Sequence, residues 1–176
     1  MKIAVPSLTA GRHEFESSTL PSDYGGAVAS SGLDFAGRID VVVVVDKMGD
    51  ELFVKGDVRA IVRAECARCL VESDIPVAAH FEALHVPESQ HDNADSRASQ
   101  AEGESQRLLY YSAGLVDLAE QIIESVALAA PMKPLCRSDC RGLCPHCGAN
   151  LNETKCTCSD DDGFGKPFKG LLGDSG

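Results

Sequence analysis

The sequence predicts an α+β fold: a mainly antiparallel β-sheet or partial barrel covered by one helix, with a C-terminal cysteine-rich module. Three observations predict it. Between Gly37 and Val86 apolar residues recur largely at every second position, the period of a strand with one buried face. Between Asp117 and Ala130 the period lengthens to about four residues, that of a helix with an apolar stripe. From Cys136 to Cys158 six cysteines follow the pattern C-x3-C-x3-C-x2-C-x8-C-x-C.

The first 36 residues are mixed. Ile3, Val5, Leu8 and Phe15 predict one or two short strands, and Ser17, Ser18, Pro21, Ser22, Gly25 and Gly26 are expected to break any long element. Val41 to Val45 is an unbroken β-branched run, Met48-Gly49-Asp50 reads as a turn, and Leu52, Val54, Val58, Ala60, Val62 and Ala64 alternate with polar residues. Ile75, Val77, Ala79, Phe81 and Ala83 alternate likewise. Three long antiparallel strands joined by tight turns account for this stretch. Gly56, inside the second strand, predicts a bulge or a close backbone approach.

From Pro87 to Gln106 the composition shifts to Ser, Gln, Asp, Glu, Asn and Ala, with no apolar residue larger than alanine after Pro87. Such a segment cannot offset its ordering entropy by burial and is expected to be a disordered acidic linker or long loop. Leu108 to Tyr111 then predicts a returning strand. Asp117 with Glu120 resembles a capping box opening a helix, on which Leu118, Ile122, Ile123, Val126 and Ala130 form the apolar face. Pro131 and Pro134 end it. Glu120 and Glu124 on one side of the helix read as a solvated stripe rather than an acid–base pair. The expected organisation is therefore residues 1–86 as N-terminal and central β region, 87–106 as linker, 107–134 as the strand and helix completing the β domain, and 135–176 as the cysteine module with its tail.

The 176 residues carry a net charge of -11 and a pI near 4.8, which argues against a surface devoted to neutralising phosphates. The N-terminus lacks the apolar core of a signal peptide and no run has the length of a membrane span, so a cytoplasmic protein with no membrane partner is expected. In that compartment thiols stay reduced, and eight cysteines then point to metal rather than to disulfides.

A tetrahedral zinc ion needs four soft ligands converging on one point, and a Cys-x-x-Cys turn with glycine behind it supplies two of them on one loop. Cys144 and Cys147, followed by Gly148, are the firmest ligands; Cys156 and Cys158 complete a four-thiolate set, with Cys136 and Cys140 as the competing pair. A further Cys-x-x-Cys lies between the second and third long strands, at Cys66 and Cys69. Three readings of that pair stay open: a turn with packed thiols, a metal half-site completed by Cys136 and Cys140, by His80 or His85, or by a second chain, and a redox pair. His146, between two ligands, is expected to be exposed. The zinc is expected to be structural, because all-thiolate sites leave no coordination position open to water. No Ser-His-Asp set, phosphate loop or dinucleotide fingerprint is present, so neither an enzymatic activity nor a small-molecule substrate is expected. Lys133, Arg137 and Arg141 are the residues expected at any direct RNA contact.

Several of these segments carry a resemblance. Cys140-Arg141-Gly142-Leu143-Cys144-Pro145-His146-Cys147-Gly148-Ala149-Asn150-Leu151-Asn152, preceded by Pro134-Leu135-Cys136 and followed by Cys156-Thr157-Cys158, resembles the C-terminal signature of the YceD family, the large ribosomal RNA subunit accumulation proteins. Cys66-Ala67-Arg68-Cys69-Leu70, Val54-Lys55-Gly56 and Asp117-Leu118 are similar to further segments of that family. The tail Lys166-Pro167-Phe168-Lys169-Gly170-Leu171-Leu172 resembles its Asn-Pro-Phe ending, with lysine in place of asparagine. The resemblance implies a non-enzymatic role in accumulation of large-subunit ribosomal RNA and ribosome assembly in bacteria. Some members of the family lack the C-terminal cysteines, which implies that zinc stabilises a module rather than performing the shared task. The expected partner is a ribosomal protein or pre-ribosomal particle. A thiol redox or metal-handling protein and a direct RNA-binding module are the two other classes open.

Overall fold

The computed structural model describes residues 1–90 and 107–158. The acidic segment expected to be a linker lies, from residue 91 to 106, outside the described residues, as does the tail from residue 159. The chain divides into two units: Met1–Arg63 with Asp74–Met132, and Ala64–Ser73 with the chain from Lys133 onward.

The first unit is built on a six-stranded open sheet in which β2 (Gly11–Thr19), β4 (Ile39–Met48), β5 (Glu51–Glu65), β6 (Glu72–Pro87) and β7 (Leu108–Tyr111) run in that order, with β3 (Asp34–Phe35) pairing β5. The three long strands expected between Gly37 and Val86 are β4, β5 and β6. Along β4 the residues Ile39, Val41, Val43 and Val45 are buried while Asp40 is exposed, so the β-branched run splits between two faces as a period of two requires. β4 and β5 join through Gly49-Asp50, with Met48 paired to Glu51. Gly49 has φ 64, at the loop position where a two-residue hairpin favours glycine. Register with β4 is unbroken past Gly56, opposite Val43, so there is no bulge against that neighbour. The glycine serves a close approach instead: a Cβ there would stand 2.3 Å from two atoms of the Phe81 ring.

β1 (Lys2–Ala4) and β8 (Leu115–Asp117) form a separate antiparallel pair. α2 (Ala119–Ala129) buries Ile122, Ile123 and Val126, and these join Leu118, Val116 and the inward residues of β4, β5 and β6 in one apolar core. Packed branched side chains of this kind supply the main favourable term in folding.

Two expectations need correction, on β2 and on the helix cap, and two further features went unsignalled. The strand β2 is nine residues long and runs through Ser17 and Ser18, because it is held in register along β4 and Ser18 Oγ donates to Asp40 at 2.5 Å. Cross-strand pairing overrides the breaking tendency of serine. A short helix, α1 (Gly26–Ser31), was not signalled by any periodicity. β7 pairs with β6 in parallel, Leu84 opposite Leu108, so the strand that returns after the acidic segment runs in the same direction as its neighbour. The capping box does not form at Asp117: Leu118 occupies the cap position without a side-chain cap bond, while Asp117 Oδ1 accepts from the Ala119 N–H at 3.0 Å. Glu124 is drawn instead to the guanidinium of Arg107 at 2.6 Å.

Candidate metal centre

The second unit brings all eight cysteines into two groups of four. Cys66, Cys69, Cys136 and Cys140 form one; Cys144, Cys147, Cys156 and Cys158 form the other, and within each the four sulfurs lie within 4.8 Å of one another. No cysteine is in a disulfide. A tetrahedron with metal–sulfur bonds of about 2.3 Å has sulfur–sulfur edges of about 3.8 Å. Three of the observed approaches lie near that edge: Cys66 to Cys140 at 3.8 Å and Cys69 to Cys136 at 3.7 Å in the first group, and Cys147 to Cys156 at 3.6 Å in the second, where Cys144 to Cys156 is shorter at 3.2 Å. Each group could hold a metal ion.

Local backbone builds both sites from Cys-x-x-Cys turns. In the first, the Leu70 N–H donates to the Cys66 carbonyl at 2.9 Å and the Cys66 N–H to Val71 at 2.9 Å, closing the β5–β6 connection around the two thiols. In the second, the Gly148 N–H donates to the Cys144 carbonyl at 2.9 Å and the Cys144 N–H to Ala149 at 2.8 Å. The two turns are the same device. The residue after the second cysteine is left-handed in both, φ 59 at Leu70 and φ 72 at Gly148. Cys136 and Cys140 come from the segment that follows the helix, anchored where the Ala67 N–H donates to Pro134 at 2.7 Å.

Each group is a bed of backbone donors around sulfurs that crowd one another. The N–H of Cys136, with those of Arg68 and Cys69, pulls the Cys66 thiol down to about 6 against its burial. The N–H groups of Cys147 and His146 pull Cys144 down to about 6. Burial and the neighbouring thiols push Cys136 up to about 12, and the Cys156 and Cys147 thiols push Cys158 up to about 12. Burial works against the Cys140 thiolate, but the Asn152 amide and the Gly142 N–H outweigh it and leave Cys140 below its ordinary value. Four sulfurs this close cannot all carry negative charge without a cation among them. The first group is the drier of the two: Cys66, Cys69 and Cys140 are buried in a small apolar cluster with Leu135 and Leu143, whereas Cys147 and Cys158 are exposed.

Thus the pair Cys66 and Cys69 meets Cys136 and Cys140, and Cys144 and Cys147 meet Cys156 and Cys158. Neither histidine considered for the first pair takes part. His80 faces Asp57 at 3.2 Å and His85 faces Gln121 at 3.3 Å, both in the first unit. His146 is half-buried rather than exposed, and its backbone N–H lies against the Cys144 sulfur. Arg137, considered for RNA contact, donates to Asn152 Oδ1 at 2.8 Å. Two residues that motif spacing gave no role also frame the sites. Arg68 Nη1 donates to the Cys140 carbonyl at 2.7 Å, and Asn152 Nδ2 donates to the Cys140 sulfur at 3.3 Å. A polar residue inside each cysteine motif was the only available signal. In the first unit, a groove of about 980 Å³ is lined by residues including Tyr24, His85, Arg107, Tyr110, Gln121 and Glu124, where the Arg107–Glu124 ion pair takes up a carboxylate otherwise free for acid–base work.

The model of the large ribosomal RNA subunit accumulation protein YceD matches residues 54–173, a stretch that contains both cysteine groups. The chain belongs to the YceD family. An uncharacterised Mycobacterium tuberculosis protein is 35% identical over 121 residues, covering 68% of this chain and 54% of the relative. A Mycobacterium leprae protein, also uncharacterised, is 30% identical over 120 residues, covering 68% and 52%. A maize relative named large ribosomal RNA subunit accumulation protein YCED homolog 1, chloroplastic, is 27% identical over 170 residues, covering 84% of this chain and 58% of the relative. The chain spans about half the length of the curated relatives it matches. No solved structure matches it. Among the described residues no helix is long and apolar enough to cross a membrane.

Proposed function

We propose that this YceD-family chain is a non-enzymatic factor that supports accumulation of large-subunit ribosomal RNA and ribosome assembly, acting through contacts with a ribosomal protein or a pre-ribosomal particle. The observation that carries the reading is the family match across residues 54–173. In the same reading each cysteine group holds one structural zinc ion, with Cys144, Cys147, Cys156 and Cys158 as one ligand set and Cys66, Cys69, Cys136 and Cys140 as the other. Thiolate softness favours zinc over hard cations, and a site filled by four protein sulfurs leaves no position for an activated water. The metal therefore holds shape and does no chemistry. A cytoplasmic setting belongs to the proposal, since thiolates persist where thiols are kept reduced.

Charge supports a protein partner. The chain carries -11 overall, a sign that attracts the basic proteins of the ribosome and repels bare phosphates. The second unit is the less acidic part: its described residues include Arg68, Lys133, Arg137, Arg141 and Lys155 against Glu65, Glu72, Asp139 and Glu153. It is the surface on which contact with a ribonucleoprotein meets least repulsion. Affinity capture of the tagged chain from growing cells, with crosslinking and identification of both protein and RNA, tests the proposal. Enrichment of ribosomal proteins or precursor particles is expected; capture that enriches neither overturns it. Binding to naked ribosomal RNA that weakens steeply with salt would favour the direct RNA-binding alternative.

A further inference from the structure

Asn152 sits midway along the loop between Cys147 and Cys156, two sulfurs of one group, yet its side chain reaches the other. Its Oδ1 accepts from the Arg141 N–H at 2.8 Å and from Arg137 Nη2 at 2.8 Å; its Nδ2 donates to the Cys140 sulfur at 3.3 Å and to Asn150 Oδ1 at 2.9 Å. An amide has two donor hydrogens and two acceptor lone pairs, and here all four are engaged. Cys140 belongs to the first group, and Arg137 and Arg141 flank it in the chain. The amide therefore reaches this position only when the loop 148–155 and the segment 136–141 are both in place.

The loop itself is braced to present it. The Asn152 N–H donates to Asn150 Oδ1 at 3.1 Å, Thr154 Oγ1 donates to the Asn150 carbonyl at 3.1 Å, and the Leu151 N–H donates to Gly142 at 2.9 Å. A backbone link runs beside it: the Leu143 N–H donates to the carbonyl of Arg68, inside the Cys66–Cys69 turn, at 3.1 Å. Gly142, at φ 77, leaves room for this, since a Cβ there would meet that carbonyl at 3.0 Å.

We propose that Asn152 couples the two cysteine groups, so that filling one with a metal ion raises the affinity of the other. The proposal rests on the reading that each group binds an ion. An ion at Cys144, Cys147, Cys156 and Cys158 ties both ends of the loop, which removes the ordering cost of bringing the Asn152 amide to Cys140. Cys140 then meets an N–H donor aimed at its sulfur, the kind of outer contact that orients a ligand and is worth about 10- to 100-fold in metal affinity. Thermodynamic linkage makes the effect mutual. Two loaded four-thiolate centres each carry net negative charge and repel, and burial of the first group leaves that repulsion only partly screened by solvent and ions. The guanidinium groups of Arg68 and Arg137 are placed to offset it, whereas the Asn152 contacts are direct.

The test uses the full chain, demetallated under reducing conditions and titrated with cobalt(II) or zinc. Native mass spectrometry counts the species holding no, one or two ions. At half saturation, independent sites leave half or more of the chains singly loaded, whereas a tenfold coupling between sites of equal intrinsic affinity lowers that fraction to about one-quarter. The wild type is expected to show a smaller singly loaded fraction than the Asn152→Ala chain. Asn152→Ala is expected to bind two ions with half or more singly loaded. Asn152→Asp keeps an oxygen for Arg137 and Arg141 but faces the Cys140 sulfur with a lone pair in place of the N–H, so it is expected to lose the coupling while the loop stays anchored. A chain carrying Cys156→Ser and Cys158→Ser is expected to bind one ion at the first group about tenfold or more weakly than the wild type. Wild-type chains that load two ions independently, or an Asn152→Asp chain that loads like the wild type, would overturn the coupling and leave the metal reading standing. Chains that bind no ion would overturn both.

Discussion

Gly56→Ala should destabilise the protein, and the same change should stabilise it once Phe81 is trimmed. The added Cβ would lie 2.3 Å from Cε1 and Cζ of Phe81, whereas carbon atoms in contact sit about 3.5–4.0 Å apart. The ring, only partly buried against the core, must therefore retreat by more than about 1 Å or the two strands must part. Overpacking of this kind costs about 1–3 kcal/mol. Against it stands the gain of replacing glycine by alanine inside a strand, about 0.5–1 kcal/mol. The clash outweighs the gain, leaving a net loss of up to about 2.5 kcal/mol, or a fall in Tm of up to about 10 °C for a chain of this size. With Phe81→Ala as the background the clash is gone and only the backbone gain survives, so Gly56→Ala should raise Tm by about 1–4 °C. Calorimetry or circular dichroism on the four proteins of this double-mutant cycle measures it, at one fixed zinc concentration because bound ligand shifts apparent stability. The same sign of effect in both backgrounds would refute the close-approach explanation of this glycine.

Metal analysis of purified, reduced protein should find two zinc ions per chain, falling to one with Cys66→Ser and to one with Cys144→Ser; undiminished content in either variant would remove that cysteine from its ligand set. Burial lowers the pKa of His85, so the unfolded chain holds a proton there that the folded chain does not. Stability from this residue is therefore complete above pH of about 6.5 and declines as pH falls below it, levelling off past the lowered folded-state value. Urea denaturation from pH 7.5 to 5.5, run as buffers of about those values, should show a shallower acid-side loss for His85→Gln than for the wild type. Leu70 holds φ 59 while 60% exposed, so Leu70→Gly should stabilise the second unit by about 1 kcal/mol, and Gly148→Ala at φ 72 should destabilise it by a similar amount. Resistance of the unit to chelator, read by thiol alkylation, reports both changes.

The strands β4, β5 and β6 were legible because alternating burial leaves a period of two in the residues themselves, Val41, Val43 and Val45 inward with Asp40 outward. The apolar face of α2 was legible for the same reason, at a longer period. β2 and α1 were not: their positions are set by pairing with β4 and by packing, and serines inside β2 are satisfied by partners such as Asp40 that lie distant in the chain. The parallel course of β7 likewise depends on which neighbour the chain returns to, a choice no local pattern records.

For the cysteines the division follows the length of chain between ligands. Sequence by itself determined the two tight Cys-x-x-Cys turns, because a pair of thiols two residues apart is brought together by local backbone geometry alone. It also pointed to metal, since eight thiols were expected to stay reduced, and the structure gathers them into two groups that could each hold an ion. Only the tertiary structure decided that Cys66 and Cys69 meet Cys136 and Cys140, and that Asn152 reaches across to Cys140. Joining ligands some 70 residues apart requires a whole β-sheet unit to fold between them, as the Cys66–Cys140 approach across a separation of 74 shows, and that convergence is a property of the packed chain rather than of any spacing within it.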